Sequence, residues 1–197
     1  AEGYIKTLLD KNMKVAICEQ LETPKEAKKR GYKEIVKRDV VRIITPGTKL
    51  EESFLVQKEN NILMALFFFD SIWASCWIDI STGLFKSTTS NESQLLSLID
   101  QVSPNETIAY ANKKELSILK SYAFTEVTWL ENKKDFSRDI SIDYLSSFFD
   151  LERLQKLSTG LLGSISLIIE YLQKNKNLFL DHFDIPEQIE LSNIMTI

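Results

Sequence analysis

The 197-residue sequence holds one histidine, two cysteines, four prolines and six glycines. Each scarcity closes a route. With His182 alone, set between Asp181 and Phe183, any Ser–His or Cys–His catalytic pair has to use that residue. Cys18 and Cys76 are too few for a disulfide framework and do not form a Cys-x-x-Cys pair, so they read as reduced thiols of a cytoplasmic protein. Cys18 lies between Ile17 and Glu19, and Cys76 lies inside an apolar run. Both are expected to be small buried hydrophobes, because a reactive thiol needs electropositive surroundings. The six glycines never form G-x-x-x-x-G-K-[ST] or G-x-G-x-x-G, so no phosphate loop is present, and no Cys/His set offers metal-ligand spacing. Long apolar runs are missing too. Ile62 to Phe69 stops at Asp70, far short of the roughly 18 residues of a membrane span. The chain opens Ala-Glu-Gly-Tyr without a signal peptide or an initiator Met and closes on the apolar stretch Leu191 to Ile197. It is expected to be a piece of something longer.

What remains is ordinary for a folded protein: 44% apolar residues and 26% charged. The length fits one large domain or two small ones at roughly 100–200 residues each. Charge is unevenly placed. Residues 1–50 hold 12 Lys+Arg against 7 Asp+Glu, while the remainder nets −9. The basic excess is tightest between Lys25 and Arg42. Two readings are open for it: a phosphate-facing surface, since Lys/Arg neutralisation drives nucleic-acid binding, or a solvated helix face and loop.

Periodicity predicts the elements. Gly3 to Asp10 is a short amphipathic helix and Met13 to Cys18 a strand. Thr23-Pro24, with Glu26 following, carries the N-cap, first-turn proline and carboxylate of a helix that stops at Gly31. Glu34 to Ile44 is β-branched and extended, and Thr45-Pro46-Gly47-Thr48 ends it. After a linking stretch, Asn61–Phe69, Ile72–Ile80 and Leu84–Thr89 follow with connections so short that neighbours must be antiparallel. The first two are apolar on both faces and belong in the middle of a sheet. Asn91 caps the next helix, Glu106–Tyr110 is a short strand, Asn112–Ser121 is helical with Leu116, Ile118 and Leu119 inward, and Phe124–Leu130 is a strand. Two helical stretches close the series. The first runs from Lys134 through Asp150 to Lys156. The second, Thr159–Lys174, is apolar almost all round, with Gly160 and Gly163 as candidates for close packing. The order β-β-β-α-β-α-β predicts a mixed α/β sheet, an antiparallel meander followed by parallel strands joined by helices, as in ribonuclease-H-like folds.

That fold raises a divalent-metal nuclease as one reading. Such a site needs several carboxylates converging on ions roughly 4 Å apart. Here the first sheet strand has no internal acid; Asp70 lies past its end, Asp79 is on the second strand, Glu92 is in a cap region and Glu106 comes before the fourth strand. A second reading is a protein-binding α/β module without chemistry of its own, since fold alone does not carry function.

Four ordered blocks add a third reading by resemblance, and the first two stay open as alternatives. Val15-Ala16-Ile17-Cys18-Glu19-Gln20, then Lys37-Arg38-Asp39-Val40-Val41-Arg42-Ile43-Ile44-Thr45-Pro46-Gly47-Thr48, then Asn60-Asn61-Ile62-Leu63-Met64-Ala65, then Asp79-Ile80-Ser81-Thr82-Gly83 closely resemble the bacterial MutS family of mismatch-repair proteins. The blocks cover residues 15–83. The resemblance implies that residues 1–45 are the end of the mismatch-binding domain. It implies that 46–178 are the connector domain, ribonuclease-H-like without nuclease chemistry, and that 179–197 open the core/lever domain. The family's mismatch-stacking wedge lies upstream and its ATPase domain, which uses ATP and Mg, lies downstream; neither is in this chain. No catalytic residue, metal ligand or cofactor is therefore expected here. The family's partners are mismatched duplex DNA and MutL, and it works as a homodimer. On this resemblance Lys28, Lys29, Arg30, Lys37 and Arg38 are expected phosphate contacts. The polar face of the segment 139–156 (Asp143, Ser146, Ser147, Glu152 and Arg153) is the expected MutL docking face.

Overall fold

The computed structural model describes residues 2–31, 34–48, 60–111, 115, 119, 127–129, 136–175 and 183–191. The first elements are α1 (Glu2–Leu9), β1 (Val15–Gln20), α2 (Pro24–Arg30) and β2 (Arg38–Ile44). β1 and β2 pair antiparallel, with a bulge where Ile17 faces Arg42 but Cys18 faces Val40. Their inner side, with Leu9 and Ile44 fully buried and Ile5, Val15 and Ile17 against them, is a small apolar cluster of its own. The expected start of α2 is present as a full capping box. The Thr23 hydroxyl accepts from the Glu26 amide at 3.3 Å, and the Glu26 carboxylate accepts from the Thr23 amide at 2.7 Å. The extended stretch is shorter than its β-branched pattern predicts, because Ile35 projects into solvent and pairing begins only at Arg38.

The larger body is a six-stranded sheet built on β3 (Ile62–Phe69), β4 (Ile72–Asp79), β5 (Phe85–Ser90), β6 (Glu106–Tyr110), β7 (Val127–Trp129) and β8 (Glu187–Gln188), in the order β7-β6-β3-β4-β5-β8. β3, β4 and β5 form the antiparallel meander, and β6 and β7 add in parallel on the far side of β3. This is the order expected of a ribonuclease-H-like sheet, with β3 and β4 central as their two-faced apolarity predicts. β8 pairs parallel with β5 through two residues. It lies on the segment that the family resemblance assigns to the opening of the core/lever domain.

Helices cover both faces. α3 (Glu92–Val102), capped by Asn91 and ended by Ser103 in the left-handed region, packs Leu95, Leu98 and Ile99 with Met64, Leu66, Trp73 and Trp77. Leu119, buried and helical, joins that layer, whereas most of the expected helix 112–121 lies outside the described residues. The opposite face carries α4 (Arg138–Leu145), α5 (Leu151–Leu154) and α6 (Thr159–Lys174) over Leu63, Ala65, Phe67, Ala74 and Cys76. α6 is buried over every residue from Gly160 to Leu172, as its all-round apolarity predicts. The expected continuous helix up to Asp150 is corrected. α4 stops at Leu145, and Asp150 instead caps α5, its carboxylate accepting from the Arg153 amide at 3.0 Å.

Candidate functional site

Between the β1–β2 hairpin and the sheet lies a buried carboxylate. Glu106 is the first residue of β6, within the strand rather than before it, and is only 4% exposed. Its Oε2 accepts from the Thr45 hydroxyl at 2.5 Å and the Gly47 amide at 3.2 Å. Its Oε1 accepts from the Tyr171 hydroxyl and faces the Lys14 ammonium at 3.3 Å. Lys14 also donates to the Tyr171 oxygen at 2.9 Å. Behind Thr45, the Thr48 hydroxyl lies 2.8 Å from the Thr45 hydroxyl and accepts from the Thr45 amide at 3.0 Å. Burial, then the charge and hydrogen bond of Glu106, push the Tyr171 hydroxyl well above the usual tyrosine range, so it stays protonated and donating. Gly47 has a steric reason to be glycine: a Cβ there would lie 2.7 Å from Cβ of Glu106. The Thr45-Pro46-Gly47-Thr48 turn, read from sequence as a strand stop, is thus a wholly buried cradle for a carboxylate on another element. Sequence reasoning missed this partner; the one signal was an acid opening the otherwise uncharged strand Glu106–Tyr110.

The other interior carboxylate serves a different purpose. Asp79 Oδ1 accepts from the Ser81 hydroxyl at 2.6 Å and from the amides of Ser81 and Asn61 at 2.9 and 3.2 Å. Burial pushes its carboxyl up, but these bonds and one from the Thr82 hydroxyl outweigh burial and hold it below the usual aspartate value. Asp79 pairs with Ile62 and Glu106 with Leu63, and successive strand residues face opposite sides. The two carboxylates therefore point to opposite faces of the sheet and cannot share an ion. Among the described residues no group of three or more His, Cys, Asp or Glu side chains is gathered as metal ligands would be. Among the described residues, Asp79 and Glu106 do not fit two-metal nuclease chemistry.

One of the five basic residues, Arg30, is committed to a different carboxylate. Glu22 pairs with Arg30 and accepts from the Lys37 amide at 2.7 Å, and these two bonds, Arg30 first, hold its carboxyl below the usual value. Arg30 also reaches Glu34 at 3.2 Å and the Ile35 carbonyl at 3.3 Å, so its guanidinium is committed within the protein. Lys28 and Lys29 stand exposed in the last turn of α2, and Lys37 and Arg38 are exposed at the entry to β2. The backbone tie from Leu21 to Lys37 at 2.9 Å keeps the two sets on one end of the hairpin.

The segment expected to dock a partner is exposed but broken. Asp143 is on α4, and Ser146 and Ser147 follow in the turn, the Ser146 hydroxyl donating to the Asp143 carbonyl at 2.7 Å. On and after α5, Glu152 faces Lys156 at 3.4 Å, and Arg153 meets Asp184 at 2.5 Å. Ile140 and Leu151, both about half exposed, interrupt this polar surface. Nearby, a cleft of about 470 Å³ lies between Phe69, Ile72, Ala74, Thr89, Arg138 and Gly160. The Arg138 guanidinium donates to the carbonyls of Leu157 and Gln155 at 2.6 Å each, which removes it as an anion hook. Cys76 is buried as expected, and burial pushes its thiol well up. Cys18 is not: Val15 and Ile17 take the inner side of β1, so the two-residue period turns Cys18 out to solvent. His182 lies outside the described residues. No described helix is long and apolar enough to cross a membrane.

Fold and site together describe a helix-covered mixed sheet with a small hairpin unit joined to it by hydrogen bonds and charge. Residues 1–53 match the family description MutS domain I, and residues 61–184 match MutS domain II. The whole chain is 37% identical to the DNA mismatch repair protein MutS of Ehrlichia chaffeensis and 34% identical to that of Wolbachia pipientis, spanning 25% and 24% of those proteins. A 112-residue stretch is 47% identical to the Rhizobium meliloti MutS. The chain belongs to the MutS family of DNA mismatch repair proteins, and it spans about a quarter of the length of these relatives.

Proposed function

We propose that this chain is the non-catalytic coupling part of a mismatch-recognition protein. In this reading residues 1–45 belong to the DNA-binding domain, 46–178 form the connector and 179–197 lead into the core. The connector carries the consequence of mismatch binding toward an ATPase elsewhere in a homodimeric protein. ATP and Mg belong to that ATPase; the chain has neither a phosphate loop nor, among the described residues, a gathered ligand set for them. The observation that carries the reading is the joint itself. The hairpin has its own apolar cluster, separate from the two clusters of the sheet, yet is tied to the sheet through Glu106 and to the end of α6 through the Ile43 amide on the Asn175 carbonyl at 3.2 Å. A unit that moves as a body needs such a defined connection.

Two surfaces give the reading its tests in the full-length protein. Exposed Lys28 and Lys29, with Lys37 and Arg38, are the proposed phosphate contacts, and Arg30 supports them through Glu22. Lys28→Glu with Lys29→Glu should weaken duplex binding and lower the salt slope by about 2, while mismatch preference survives because phosphate contacts carry no sequence information. An unchanged salt slope measured by fluorescence anisotropy would exclude these lysines. The proposed MutL face is the surface of Asp143, Ser146, Ser147, Glu152 and Arg153. Glu152→Lys with Arg153→Glu should reduce MutL recruitment on mismatched DNA by about tenfold; recruitment at the unaltered level removes this face from the proposal.

A further inference from the structure

The network around Glu106 does more than fill a joint. Two of its three hydrogen-bond donors, Thr45 and Gly47, and its ion-pair partner Lys14 come from the hairpin and the turn that leaves it, and the third donor, Tyr171, comes from α6 on the sheet. The hairpin's apolar cluster shares no residue with the clusters of the sheet. An apolar contact tolerates sliding, since hydrophobic attraction has no direction. A buried carboxylate is satisfied only where its donors converge with correct geometry. We infer that Glu106 is a positioning residue, a polar latch that holds the DNA-side hairpin at one orientation on the connector sheet. The inference rests on the coupling reading for its consequence, but not for its geometry.

The latch has one satisfied arrangement. Rotating the hairpin withdraws Lys14 and the Thr45 hydroxyl together, because both sit on that unit, and pulls on the turn that presents the Gly47 amide. Tyr171 is then the donor that does not depend on the hairpin. The Thr48–Thr45–Glu106 chain stiffens the turn from behind. Glycine at 47 lets the turn approach the strand closely enough to donate its amide. Replacing the carboxylate by an amide keeps its shape but removes the charge and puts a second donor among donors.

The test is a distance measurement on the 197-residue chain. Exposed Cys18 on β1 takes one spin label, Asp100→Cys on the outer side of α3 takes the other, and buried Cys76 stays unlabelled. The parent chain should give a single narrow distance distribution, and so should Thr45→Ser, which keeps the hydroxyl. Glu106→Gln should broaden the distribution about twofold, and Tyr171→Phe should broaden it less. Near-ultraviolet circular dichroism from buried Trp73 and Trp77 reports that the sheet core is intact. An unchanged width in both variants, with that signal intact, overturns the latch. If Glu106→Gln does not fold, Tyr171→Phe alone decides. The coupling reading is tested separately in the full-length protein. There Glu106→Gln should slow ATP-driven release of mismatched duplex by about fivefold while nucleotide-free affinity is retained. Broadened distances with normal release keep the latch and reject the coupling.

Discussion

Gly163 sets two known effects against each other, so its replacement by alanine tests the packing directly. Alanine stabilises a helix interior by about 1 kcal/mol relative to glycine, and Gly163 is inside α6. A Cβ there, however, would lie 2.8 Å from Cε1, Cε2 and Cζ of Phe67, well inside the roughly 3.5–4.0 Å of a comfortable carbon contact. The ring has nowhere to go. It stacks on Tyr110 at 5.2 Å and 8°, takes the edge of Phe136 at 5.4 Å, and is 3% exposed. Overpacking of this kind costs about 1–3 kcal/mol, so the clash wins and Gly163→Ala should lose about 1 kcal/mol net. With a urea slope of about 2 kcal/mol/M, the midpoint should fall by about 0.5 M at unchanged slope. In a Phe67→Leu background the same change should become stabilising, since the ring it strikes is gone and the helix preference remains. A rise in midpoint for Gly163→Ala in the parent chain would refute the reasoning, and so would a cycle without coupling.

The β3–β4 hairpin turns on Asp70 and Ser71, both in the left-handed region at φ 50° and 64°. Such a two-residue turn favours glycine at its second position, so Ser71→Gly should stabilise by about 0.5 kcal/mol in urea melts, and a loss would contradict it. Asp79 is held below its ordinary value, so its contribution is complete above about pH 4, the unfolded value, and is lost as pH falls through the folded one. Asp79→Asn should therefore be destabilising at pH 7, with a difference that shrinks as pH falls below about 4 in paired denaturation curves; a pH-independent difference would show that the carboxylate is not the source.

Local signals were read well where a local cause exists. Thr23, Pro24 and Glu26 carry a capping box within four residues, and Asn91 does the same for α3. The short connections of the meander permit only antiparallel neighbours, and unbroken apolarity placed β3 and β4 at the centre. The candidate surfaces were legible only as composition. Lys28, Lys29 and Arg30 look equivalent in sequence, yet Arg30 is committed to Glu22 and Glu34 while the two lysines are exposed. Asp150 has the residue type of both a helix-surface acid and an N-cap; the chain's turn after Leu145 selects the cap.

Residue order alone determined the strands of the antiparallel meander, the caps at Thr23 and Asn91, the apolar helix Thr159–Lys174 and the family, because those follow from neighbours a few positions apart and from ordered blocks. Only the tertiary structure decided what Glu106 does. Its acceptors are filled by Thr45, 61 positions earlier, and by Tyr171, 65 positions later. A bond between such distant residues leaves no periodic trace, since each end satisfies its own local rules whether or not the other arrives.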